Sequence, residues 1–165
     1  MIRLMATRFN NATWGENLRW RERNADEGCI YSSPVYIKTD IPLLIPMFVI
    51  EMNNETNDIM GIGLITNRVH VDRRYKIYSD QNYNRFTYRG KRRIDKDELK
   101  ALKERDPEAK ARLEGLEARI FKTKKHLKRG HGISQVPLEV ATEYLKFIQG
   151  LFKGGYPPFN PPLAG

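Results

Sequence analysis

A single cysteine, Cys29, in 165 residues excludes an internal disulfide and cannot by itself supply a structural zinc site. A reducing, intracellular setting (cytoplasm or nucleus) is the expectation. Long apolar runs are missing too. The greasiest stretch, 41–50, is interrupted by Pro42 and Pro46 and is far short of the roughly 20 residues that span a bilayer. No membrane span is expected, and Met1 to Arg8 lacks the apolar centre of a secretory signal. Nucleotide fingerprints are absent as well: Gly61-Ile62-Gly63 has neither the third glycine nor the following helix. Catalytic patterns are equally scarce. Glu51, Asp58 and Asp72 fall near strand ends in no familiar nuclease arrangement. His70, His126 and His131 lack nearby co-ligands, and Cys29 lacks a local nucleophile signature. These gaps predict a protein that is not an enzyme, with no catalytic residues, no metal and no cofactor.

Base is plentiful. Twenty-nine Lys and Arg against 20 Asp and Glu give a net charge of +9, which favours a polyanionic partner: nucleic acid (RNA or DNA) or an acidic protein surface. The charge is most suggestive between Tyr83 and Arg93, where five basic residues interleave with aromatics and no acid intervenes. Read as one strand, this segment puts Tyr83, Arg85, Thr87, Arg89, Lys91 and Arg93 on one face and Phe86 and Tyr88 on the other. Such a cationic ribbon suits a phosphate backbone with a base stacked beside it. It equally suits a solvated edge strand that resists aggregation.

The chain divides into a β-rich first part, 1–94, and a helical part, 95–153, followed by a Pro-rich extended tail, 154–165. Strands are expected at 2–9 and 46–52, with short extended pieces at 29–31 and 34–37 and a helix over 12–24. Asn53 to Asp58 is a polar turn cluster, so Met47 to Ile50 and Ile59 to Ile65 make a hairpin, with Gly61 and Gly63 on one face of the return strand. That bare face admits a flat ligand or simply a packing neighbour. A second hairpin is expected from 75–78 and 83–93, turning at 79–82.

Helices begin at Asp95, where Glu98 completes a capping box, and restart at Asp106-Pro107. Leu113, Leu116 and Ile120 form the buried stripe of a helix whose end carries Lys122, Lys124, Lys125, Lys128 and Arg129. Gly130-His131-Gly132 either terminates that helix or forms a phosphate-binding nest. A last helix covers 137–152, capped by Ser134, with Leu138, Ala141, Tyr144, Leu145 and Ile148 buried.

About five short strands with helices around them, and the hairpin carrying Met47-Phe48-Val49-Ile50 and Ile59-Met60-Gly61-Ile62-Gly63-Leu64-Ile65, resemble the PUA-like β-barrel superfamily, specifically its EVE, ASCH and YTH branches. The resemblance implies an α+β fold: a small barrel of about five strands with a C-terminal helical extension. It also implies RNA or modified-base binding, with a flipped base in an aromatic-lined pocket. Pocket roles would then fall to Trp14 or Trp20, and phosphate roles to Arg85 and Arg89. In its wording around 82–90 and 121–133 the chain also resembles small proteins encoded by large DNA viruses of algae and protists.

Two functions follow as expectations. The first is a non-enzymatic nucleic-acid-binding module. Its contacts would be Trp14, Tyr83, Arg85, Arg89, Lys91, Arg93, Lys124, Lys125, Lys128, Arg129 and His131. The second is a structural protein, such as a minor capsid or virion component, whose Pro-rich tail engages an assembly partner.

Overall fold

Alternating burial sets the faces of the first strand. In β1 (Arg3–Phe9) Leu4 and Ala6 point to one side, Met5 and Phe9 to the other, and both sides are covered. The computed structural model describes residues 1–153. It places β1 parallel to β3 (Pro46–Asn53), which turns through Asn57 into antiparallel β4 (Asp58–Thr66). Asn57 takes φ 57°, a left-handed value that asparagine tolerates. β6 (Arg92–Asp95) lies on the outer edge of β4, and β7 (Ser134–Gln135) on that of β1, giving the order β6-β4-β3-β1-β7. β2 (Cys29–Ser33) and β5 (Phe86–Gly90) pair separately as an antiparallel ribbon. With four α-helices among the described residues, this is an α+β fold.

The sheet separates two cores, which explains the unbroken apolar run of β3. One core lies under α2 (Lys96–Arg105), α3 (Pro107–Glu117) and α4 (Leu138–Phe152). From α4 it takes Val140, Tyr144, Phe147, Ile148, Leu151 and Phe152. At about 1.5–3 kcal/mol per fully buried large apolar side chain, such a face outweighs helix propensity in holding the helix down. The other core lies under the ribbon, α1 (Asn11–Arg23) and the irregular segment 67–78. Among the described residues no helix is long and apolar enough to cross a membrane.

The caps follow the sequence: Asp95 and Glu98 form a capping box on α2, and Asp106 caps α3 with Pro107 in its first turn. Four expectations are corrected. The segment 75–78 is not a strand; β5 pairs with β2 and β6 with β4, so the second hairpin does not form. The stretch 83–93 is not one strand either. Tyr83 and Asn84 belong to a 3-10 turn (Gln81–Asn84), and β5 and β6 break at Lys91. After α3 a π-helical turn (Ala118–Lys122) ends the helix at Lys122, so Lys124, Lys125, Lys128 and Arg129 stand on a loop and Gly130 terminates nothing. Ser134 pairs within β7 instead of capping α4, and Leu138 is 79% exposed. The tail 154–165 lies outside the described residues.

Candidate functional site

The glycine face of β4 is filled. A Cβ on Gly63 would stand 2.0 Å from Tyr31 Oη, and one on Gly61 2.4 Å from an Arg93 nitrogen. The two glycines therefore make room for a polar cluster between sheet and ribbon. Glu51, 1% exposed on β3, accepts hydrogen bonds from Arg93 (2.7 and 2.9 Å) and from the Tyr31 hydroxyl (2.5 Å). Arg93 also reaches Asp95 at 2.6 Å and the Met60 carbonyl at 3.0 Å. Met60 has no register partner because β4 bulges opposite Glu51 and Met52, which turns that carbonyl toward Arg93.

Trp14 completes the cluster. The guanidiniums of Arg21 and Arg93 lie 5.0 and 5.3 Å from its ring, and Phe9 meets it edge-on at 5.4 Å. Arg21 is held by Asn17 at 2.8 Å, and Asn17 in turn donates to the Ile30 carbonyl and to Tyr78 Oη. Glu51 and Asp95 pair with Arg93 and Asn17 holds Arg21, so the cluster is a brace between sheet and ribbon. Cys29 sits beside it, fully buried. Burial first, then the Glu51 charge, pushes its thiol from 9.0 up to about 12. Native Cys29 is thus expected to resist iodoacetamide at pH 8, holding on the order of a thousandfold less thiolate than an ordinary cysteine. Mass spectrometry should show alkylation only in denaturant, and rapid labelling of the native protein would refute this burial.

A cleft of about 280 Å³ does open at the C-terminal ends of β1 and β2. Its walls are Thr7 to Asn10 and Thr13, Tyr31 to Pro34, Asn54, Tyr78 and Tyr83, and the loop residues Lys128, Gly130, His131 and Gly132. None of the lining residues is an acid. Arg8 organises the loop side: its guanidinium donates to the Leu127 and Gly132 carbonyls at 3.0 and 2.9 Å and to Ser134 Oγ at 2.8 Å. Among the described residues no carboxylate pairs with it, and desolvation lowers its pKa to about 10, which still leaves it charged at neutral pH. Gly132, at φ 61°, lets the loop turn back toward Ser33, where a Cβ would stand 2.6 Å from its hydroxyl.

Lys128 is pinned through its backbone. Its N–H donates to His126 Nδ1 and its carbonyl accepts from Asn54, and the residue lines the cleft without a salt bridge among the described residues. Tyr83, 46% exposed, stands at the rim and meets Tyr78 edge-on at 6.4 Å. Asn10 caps α1, whose first turn contains no acid; Glu55 holds the Asn11 side chain at 2.9 Å nearby.

Of the residues singled out from sequence, Tyr83, Lys128 and His131 meet in this cleft. Trp14 lies behind it, packed by Phe9, Arg21 and Arg93 instead of offering a face to a base. Arg93 is enclosed and paired to Glu51 and Asp95, which removes it from the ribbon reading. Arg89 is engaged by Glu27 at 2.7 Å, by His70 at 3.2 Å and by Asp72 at 3.8 Å. Arg85 and Lys91 are exposed, as is Arg129. Lys124 and Lys125 line a different depression with Arg119 and Glu139. Arg8 escaped the sequence reading because an isolated arginine carries no pattern. The available signal was that the first fifteen residues contain Arg3 and Arg8 but no acid.

Among the described residues no group of three or more His, Cys, Asp or Glu could hold a metal ion. Comparison with family models, curated proteins and solved structures yields no match.

Proposed function

We propose that this chain is a non-enzymatic nucleic-acid-binding module whose cleft receives one nucleotide of a single strand. The observation that carries this reading is the convergence of Arg8, Lys128 and His131 with the exposed Tyr83 ring around a cavity lined by no acid. Cations with fixed backbones suit a phosphate, and an accessible tyrosine face suits a base of any sequence. The resemblance to PUA-like domains supports the same reading. The pocket role it gave to Trp14 or Trp20 passes to Tyr83, since Trp20 is buried and the Trp14 ring is engaged by Arg21, Arg93 and Phe9.

The test is fluorescence anisotropy with short single-stranded and duplex DNA and RNA at two salt concentrations. Neutralising about three phosphates should give a log–log salt slope near −2 on single strands. Lys128→Glu should weaken binding about tenfold or more at low salt. Tyr83→Ala should remove a stacking contribution of about 1–3 kcal/mol without altering the salt slope. Binding indifferent to salt and to both substitutions would overturn the proposal. It would leave the cationic surface for an acidic protein partner, as in a minor capsid or virion component.

A further inference from the structure

A second cleft, of about 560 Å³, lies on the far side of the Gln81–Asn84 turn and includes Arg73, Arg74 and Arg85 in its lining. It too is lined by no acid. Asp72 stands beside it but is already engaged by the Tyr75 hydroxyl at 2.7 Å and by Arg89. The Arg73 guanidinium rests on the rings of Tyr75 and Trp20, 4.9 and 5.7 Å from their centroids, and Arg85 lies over Phe86 at 5.5 Å. Arginines laid on aromatic rings keep their charge while losing freedom, a pre-organised way to meet phosphate.

The wall between the two clefts is fixed. Asn84 Oδ1 accepts from the backbone N–H groups of Ile77 and Tyr78 at 3.1 and 2.9 Å, and its amide donates back to the Tyr78 carbonyl at 2.7 Å. Asp80 caps the turn. Tyr83 faces the first cleft, while Gln81, Asn84 and Arg85 face the second. One turn of four residues therefore carries an exposed tyrosine on one flank and borders an arginine-lined hollow on the other.

Resting on the single-strand reading above, we propose that the second cleft binds the backbone phosphates of the nucleotides next to the one held at Tyr83. The strand crosses the Gln81–Asn84 turn as a saddle. A ridge between two acid-free hollows fits a chain that can fold over it. A duplex, stiff over about 150 base pairs, does not follow such a contour.

The experiment compares the intact protein with the double variant Arg74→Glu, Arg85→Glu. Both side chains are exposed and neither has a salt bridge among the described residues, so circular dichroism and thermal melting should match the parent. The probes are uridine monophosphate, six-nucleotide oligouridylate and oligothymidylate, and a six-base-pair duplex. The parent should bind the six-nucleotide strands more tightly than the monophosphate and the duplex. The double variant should lose tenfold or more in affinity for the strands and reduce their salt slope by about 1.4, while binding the monophosphate as before. Unchanged strand affinity in the double variant, with Lys128→Glu still impaired, overturns the saddle path and leaves the first cleft standing. Equal loss for strand and monophosphate overturns it by making both hollows one site, and equal affinity for the duplex overturns the single-strand path. Failure of the parent to bind any probe overturns this inference together with the reading beneath it.

Discussion

Replacing Glu51 with alanine is expected to destabilise the protein by about 3–5 kcal/mol, because Arg93 would remain buried without its principal counter-charge. The side chains of the two residues are 2% and 6% exposed, so water cannot take over the lost role. For a domain of this size the melting temperature should fall by about 10 °C or more. Circular dichroism melts measure this directly. A variant melting within a degree or two of the parent would show that the brace is dispensable. The paired substitution Glu51→Met with Arg93→Met should cost less than Glu51→Ala alone, since no charge is then stranded.

The effect should hardly depend on pH near neutrality. Burial works against the charged guanidinium, but Glu51 more than offsets it and raises Arg93 above the ordinary arginine value. A raised cation contributes fully below its unfolded-state pKa and is lost only as the pH climbs through the folded one. Asp95 behaves in the opposite sense. Desolvation opposes its ionisation, yet the Arg93 hydrogen bond prevails and lowers its pKa. Its contribution is present above 3.8, the ordinary aspartate value, and is lost as the pH falls through the lowered one.

Gly63→Ala should cost about 1–3 kcal/mol, the usual range for overpacking a core. The new methyl group would sit 2.0 Å from Tyr31 Oη and 2.7 Å from Cys29 Sγ. Tyr31 can retreat only by surrendering its bond to Glu51. Adding Tyr31→Phe should therefore recover part of the loss. In a double-mutant cycle the coupling between the two changes should be at least about 0.5 kcal/mol in the rescuing direction. Strict additivity would mean that the backbone, not Tyr31, yields to the methyl group.

How far the sequence disclosed this molecule depends on whether a feature is local. Asp95 with Glu98 and Asp106 with Pro107 announced helix starts because a cap is completed within one turn. The β3–β4 hairpin and the shared face of Gly61 and Gly63 were legible from a polar turn between two apolar runs. Strand partners were not legible. Period-two alternation tells which side chains share a face but not which strand lies alongside, so β5 was matched to 75–78 when its partner is β2. The same gap concealed the fate of Arg93. Its charge resembled that of Arg85 along the chain, and only the register that sets β6 beside Gly61 and Gly63 delivers it to Glu51. Lys128 stands on a loop instead of the expected helix end, and Arg8, which holds that loop, lies 119 residues away in sequence from its Leu127 acceptor.

That long-range tether has a consequence for how occupancy and folding are linked. The first cleft has no local owner: its walls come from the start of the chain, from the ribbon and from the loop that returns through β7 to the edge of β1. No fragment ending before residue 128 contains it, and no partly folded state that lacks the β1–β7 pairing can assemble it. A ligand seated there selects the fully formed molecule over every partial one. Saturation should thus raise the unfolding transition of sheet and helices together, as a single cooperative shift, and slow hydrogen exchange in β4 and α4, which contribute no wall to the cleft.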